Sequence, residues 1–134
     1  MRYLLDVNAL ISLGIRGHIF HTRVANWVVS LDSVRSVELA TTPITELGFV
    51  RILSQPTPYG LNLSDAKSLL KQVKATSPIA FTFIVDSDDI SKLPTWVKLS
   101  KQTTDGHLVR LAKSNGAVLA TLDIHIPDSF RIPE

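Results

Sequence analysis

Arg2-Tyr3-Leu4-Leu5-Asp6-Val7-Asn8-Ala9-Leu10-Ile11 is the stretch from which the fold is read. Arg2 to Val7 is a short apolar run broken by a carboxylate near its end, the pattern of a buried strand. Asn8 belongs to the residue types that cap helices, and Ala9, Leu10 and Ile11 continue as a helix toward Gly14. A strand therefore passes straight into a helix, with polar groups at the junction.

The same alternation continues outward. Gly14 to Gly17 is a break, and His21 to Leu31 carries Val24, Trp27, Val28 and Leu31 at the spacing of an amphipathic helix. Val37 to Thr41 reads as a second strand. Thr42-Pro43 then starts a helix to about Leu53, with threonine at the cap and proline at the first helical position. Gln55 to Gly60 is a loop, Ser64 to Val73 a capped helix and Ile79 to Val85 a strand. Thr103 is expected to cap a helix from Thr104 to Ser114, stopped by Asn115-Gly116. Ala117 to Leu122 is a strand closed by Asp123, and Ile124 to Glu134 reads as a short tail. Alternating strands and helices predict an α/β fold with a mainly parallel sheet covered on both faces. Sites in such folds lie beyond the carboxyl ends of the strands. Asp6 and Asp123 both stand at such ends.

The chain of 134 residues has the length of one domain, taken as 1–134. It contains no cysteine, which excludes disulfides and cysteine-ligated zinc. No apolar run approaches the roughly 20 residues that span a bilayer. The start meets Asp6 too soon for a secretory leader, so a cytoplasmic protein is expected. The net charge is +2, and Lys67, Lys71, Lys74 and Lys92, Lys98, Lys101 read as solvated faces. A mean hydropathy of +0.20 hints at apolar surface buried against a partner.

Of the 12 acidic residues, Asp6, Glu46, Asp105 and Asp123 adjoin apolar sequence at element ends or in first helical turns. Each has an ordinary reading. Asp105 and Glu46 can complement a helix dipole, and Asp123 can begin a turn. Gathered together, four carboxylates would repel one another unless some protonate or a cation joins them. With hard oxygen donors, no cysteine and no histidine pair at ligand spacing, magnesium or manganese is the natural cation. Such an ion supports phosphodiester hydrolysis. Thr121 precedes Asp123 by two residues, and its hydroxyl is placed to orient a carboxylate. Asn8 is placed to cap its helix and bond Asp6.

Other groups rank lower. Asp86-Ser87-Asp88-Asp89 reads as a loop and cap, and His107 points away from Asp105 on a helix. His18 and His21 read as structural. No glycine-rich phosphate loop and no serine nucleophile elbow is present.

At these residues the chain resembles the PIN-domain family, and within it the VapC-type toxins. Leu4-Leu5-Asp6-Val7-Asn8-Ala9-Leu10 is similar to the opening motif, and Thr42-Pro43-Ile44-Thr45-Glu46-Leu47-Gly48-Phe49-Val50-Arg51 to the glutamate helix. Thr104-Asp105-Gly106-His107-Leu108 resembles the third acidic motif and Ala120-Thr121-Leu122-Asp123 the fourth. The resemblance covers essentially the whole chain in order. It implies an α/β/α sandwich and a magnesium-dependent endoribonuclease, with manganese able to substitute. Asp6, Asp105 and Asp123 would be metal ligands, with Glu46 acting directly or through water, and Asn8 and Thr121 supporting. Gly106 stands where the family often has alanine, which is expected to loosen the helix start. A toxin implies an RNA substrate and a VapB-like antitoxin, with an arginine as the best plug for a carboxylate cluster. A homodimer is expected too, with Phe49 and Leu53 among its contacts.

Competing classes remain open at this stage. A housekeeping PIN ribonuclease would carry the same site, and a non-catalytic module would bind RNA without cutting it. A haloacid-dehalogenase-like phosphatase would need a second aspartate where Asn8 stands.

Overall fold

In the computed structural model, which describes all 134 residues, β1 (Arg2–Leu5) is the middle strand of a five-stranded sheet. It pairs in parallel with β2 (Glu38–Thr41) on one side and β4 (Ala117–Thr121) on the other. Outside these lie β3 (Phe81–Phe83) and β5 (Phe130–Arg131), also parallel, in the order β3-β2-β1-β4-β5. Leu4 faces Ala40 and Leu119 across the two central ladders.

The helices are α1 (Val7–Gly14), α2 (His21–Ser30), α3 (Pro43–Leu53), α4 (Leu63–Thr76) and α5 (Thr103–Ser114). Successive strand residues point to opposite faces, and the two cores divide accordingly. Leu5, Leu39 and Ala120 pack with Leu10, Trp27, Phe49 and Leu70 of the first four helices. Leu4, Ala40 and Leu119 pack with Leu108 and Leu111 of α5. The result is the expected α/β/α sandwich. Each fully buried Leu or Phe contributes about 1.5–3 kcal/mol.

Several boundaries differ from the sequence reading. β1 ends at Leu5, and Asp6, not Asn8, caps α1: its Oδ1 accepts the Ala9 N–H at 2.8 Å. A cap accepts from a donor two or three residues ahead, and Asp6 is the residue so placed. Asn8 is exposed in the first turn, and no hydrogen bond joins it to Asp6. Asn62 caps α4 by accepting from Asp65 N–H at 2.7 Å, so that helix begins before Ser64. Thr103 lies within α5 and donates back to the Ser100 carbonyl at 2.8 Å. The tail supplies β5, and the N–H of Ile132 just after it bonds the Thr121 carbonyl at 2.9 Å.

Further positions read differently in three dimensions. Phe49 and Leu53 are both 0% exposed, packed in the core, and cannot be dimer contacts. A Cβ on Gly106 would lie 2.3 Å from Val97 Cγ2. Glycine therefore admits a close approach by the segment before α5, a role that helix propensity alone does not reveal.

Candidate active site

The carboxyl ends of β1, β2 and β4 open along one edge of the sheet. Asp6 follows β1 directly, and its N–H is tied to the Ala120 carbonyl of β4 at 3.1 Å. Thr121 ends β4, and its hydroxyl donates to Asp6 Oδ2 at 2.5 Å. Thr121 Oγ1 also accepts the Asp123 N–H at 3.0 Å, so Asp123 sits just past the strand. Asp123 Oδ1 in turn accepts the His125 N–H at 2.8 Å. Asp105 occupies the first turn of α5.

Electrostatics join these acids. Asp6 is buried, and burial pushes its carboxyl up to about 6, against the hydrogen bonds from Thr121 and Ala9 that lower it. The charges of Asp105 and Asp123 raise it further. Asp105 is also raised, first by burial and then by Asp123. None of the three is paired with a lysine or arginine, because the four ion pairs of the chain lie elsewhere. Asp6 is buried, Asp105 half-buried and Asp123 exposed, and like charges held together without a counter-charge favour either protonation or a cation.

Glu46 is handled differently. It lies in the first turn of α3, a helix whose start is set by Thr42 and Pro43. The Thr42 hydroxyl donates to the Ile84 carbonyl, and Thr45 takes up the Thr42 N–H. Thr41, wholly buried at the end of β2, donates its hydroxyl to Glu46 Oε2 at 2.6 Å. Lys74 of α4 forms an ion pair with the same oxygen. Three acids thus share one unpaired field, and the fourth carries its own cation.

No three carboxylate or histidine side chains close into a ready-made metal cage. The donor chemistry nevertheless fits a hard divalent cation, since Asp6, Asp105 and Asp123 offer only carboxylate oxygens and no competing positive group.

Two contacts escaped the sequence reading. Lys74 belongs to the row taken for a solvated face, yet it reaches Glu46. His107 does turn away from Asp105, but it meets Asp86 at 2.6 Å, with both side chains only 15% exposed. That pair ties the segment after β3 to α5. The acidic run from Asp86 was the available signal, although nothing local identifies its partner. His18 and His21 are structural, bonded to the Ser12 hydroxyl at 3.2 Å and the Ser12 carbonyl at 2.9 Å.

No protein-family model matches the chain. It is 36% identical over 125 residues to Ribonuclease VapC38 of Mycobacterium tuberculosis, a match covering 90% of this chain and 84% of that protein. Ribonuclease VapC39 of the same species is 34% identical over 135 residues, covering 96% and 94%. Ribonuclease VapC44, also from that species, is 34% identical over 130 residues, covering 92% and 87%. Among solved structures, VapBC2 from Rickettsia felis bound to a DNA fragment from their promoter aligns with a TM-score of 0.65 at 15% identity. It covers 97% of this chain and 96% of that one, a likeness of fold.

Proposed function

The chain belongs to the VapC ribonuclease family, and from that premise we propose that it is a toxin endoribonuclease that hydrolyses RNA phosphodiester bonds at the Asp6, Asp105 and Asp123 cluster with the help of Glu46. The observation that carries this reading is the group of three carboxylates without a counter-charge at the ends of β1 and β4 and the start of α5. A divalent cation, Mg2+ or Mn2+, would neutralise them without protonation.

Asp6, Asp105 and Asp123 would hold that ion. When bound, it would polarise the scissile phosphate and lower the pKa of water. The chain's own contribution is positional. Thr121 and the Ala9 N–H fix both oxygens of Asp6, so its orientation does not depend on the ion. Thr121 also holds the Asp123 N–H. Glu46, gripped through Oε2 only, keeps Oε1 free to accept a proton from attacking water. Asn8 is exposed in the first turn of α1 and makes no hydrogen bond to Asp6.

The partners proposed are single-stranded RNA and a VapB-like antitoxin. An arginine of that antitoxin would satisfy the unpaired carboxylates in place of the cation. A homodimer is also proposed. Its contacts would come from exposed apolar residues such as Ile19, Phe20 and Val29, since Phe49 and Leu53 are buried. No helix is long and apolar enough to cross a membrane. We propose the cytoplasm as the compartment, where the RNA substrate lies, and the whole span 1–134 as one nuclease domain.

The reading is tested by inducing the chain in a bacterial host with and without the product of its neighbouring small gene. Growth arrest with newly cleaved RNA termini is expected without that product and rescue with it. Asp105→Asn should be harmless. Harmless expression of the intact chain, with no co-purifying neighbour, favours the housekeeping nuclease.

A further inference from the structure

We propose that Lys74 is a positioning residue for Glu46. It acts with Thr41 to lock one carboxylate oxygen and leave the other as the oxygen that works in the reaction. This rests on the ribonuclease reading of the site.

The geometry is asymmetric. Thr41 Oγ1 and Lys74 Nζ both bond Oε2, while Oε1 receives no hydrogen bond. The two donors come from different elements, the buried end of β2 and the last turns of α4. Two donors on one oxygen fix the rotation of a carboxylate more firmly than either alone. Lys74 is itself held from a second side, with Nζ 5.9 Å from the centroid of the Phe83 ring. Lys67 and Lys71 lie on the same face of α4, and both line the groove of about 710 Å³ that Glu46 and Phe83 also border. Of the three, only Lys74 is joined to an acid.

An exposed lysine–glutamate pair contributes little. This one is partly covered, with side chains 30% and 26% exposed, and it neutralises one of the four acids while leaving the other three free. Lys74 therefore has two effects of opposite sign. Its charge opposes a cation at the neighbouring acids, and its hydrogen bond orders the glutamate that assists the reaction. A purely structural lysine has no such split.

The test compares Lys74→Met, Lys74→Gln, Lys74→Arg and the control Lys71→Met with the wild type. Mn2+ binding is measured by calorimetry without RNA, and kcat and KM are measured on a single-stranded RNA oligonucleotide. Lys74→Met and Lys74→Gln should bind Mn2+ about threefold more tightly, the effect of removing one positive charge from the protein's field. Their kcat should fall by about tenfold to a hundredfold with little change in KM, as when a reacting group loses its orientation. Lys74→Arg, which keeps the charge and a donor, should recover much of the kcat lost in the neutral variants, and Lys71→Met should match the wild type in both measurements. Unchanged kcat in the neutral variants overturns the proposal, as does parallel loss of Mn2+ affinity and kcat. If instead the wild type binds Mn2+ but cleaves no RNA, the ribonuclease reading is what fails.

Discussion

Thr121 and Asp6 are joined by a 2.5 Å hydrogen bond from the threonine hydroxyl to Oδ2, closed off from solvent between β1 and β4. Because Thr121 Oγ1 also accepts the Asp123 N–H, one side chain sets two acids.

Removing that hydroxyl while keeping the shape should therefore weaken both fold and activity. Thr121→Val leaves Asp6 short of a buried donor, a loss of about 1–3 kcal/mol. Urea unfolding should register that loss, and RNA cleavage should drop with it. Thr121→Ser, which restores the hydroxyl, should recover most of the activity. Equal activity in the valine and serine variants would detach Thr121 from the site.

The raised carboxyl of Asp6 gives a pH signature in chelator. A carboxyl whose pKa climbs from 3.8 to about 6 on folding holds its proton more tightly in the native state. The native state thus has its full advantage below the unfolded value and loses it as pH rises through about 6. Asp105 is shifted in the same direction. Asp6→Asn should then be more stable than the wild type at about pH 8, by on the order of 3 kcal/mol at most, with the gap closing at about pH 4. Thermal melts across that range give the comparison, and a constant gap would refute the assignment.

Gly106 offers a test of packing beside the site. Val97 Cγ2 stands 2.3 Å from where an alanine Cβ would lie. Gly106→Ala should destabilise the protein by about 1–3 kcal/mol through overpacking. Adding Val97→Ala should recover part of that, since the clash is with one side chain. Urea titration of the single and double variants would measure the coupling, and strict additivity would contradict it.

The sheet, and the placing of acids at strand and helix ends, were legible because their signals are local. Leu4 and Leu5 precede a carboxylate, Thr42-Pro43 starts a helix, and Leu122-Asp123 ends an apolar run. Ambiguity entered where two cap-competent residues stand two positions apart. Asp6 and Asn8 could each have capped α1, and only the bond to Ala9 N–H decides between them. β5 was hidden because two residues between a turn and Pro133 show no periodicity. The ion pairs were hidden for another reason. Lys74 meets Glu46 across 28 positions and His107 meets Asp86 across 21, and no residue pattern states which helix face will lie over which strand end. Gly106 carried its meaning only in three dimensions, through Val97.

The central claim is that an unpaired carboxylate cluster cuts RNA with a divalent cation, and one titration tests it most directly. Purified wild type and Asp105→Asn are stripped with chelator and mixed with single-stranded RNA, and cleavage is followed as Mg2+ or Mn2+ is added back. The account predicts no cleavage in chelator, full recovery of the wild type with either ion, and a folded Asp105→Asn that stays inactive throughout. Undiminished cleavage in chelator, or near-normal turnover by folded Asp105→Asn, would contradict it.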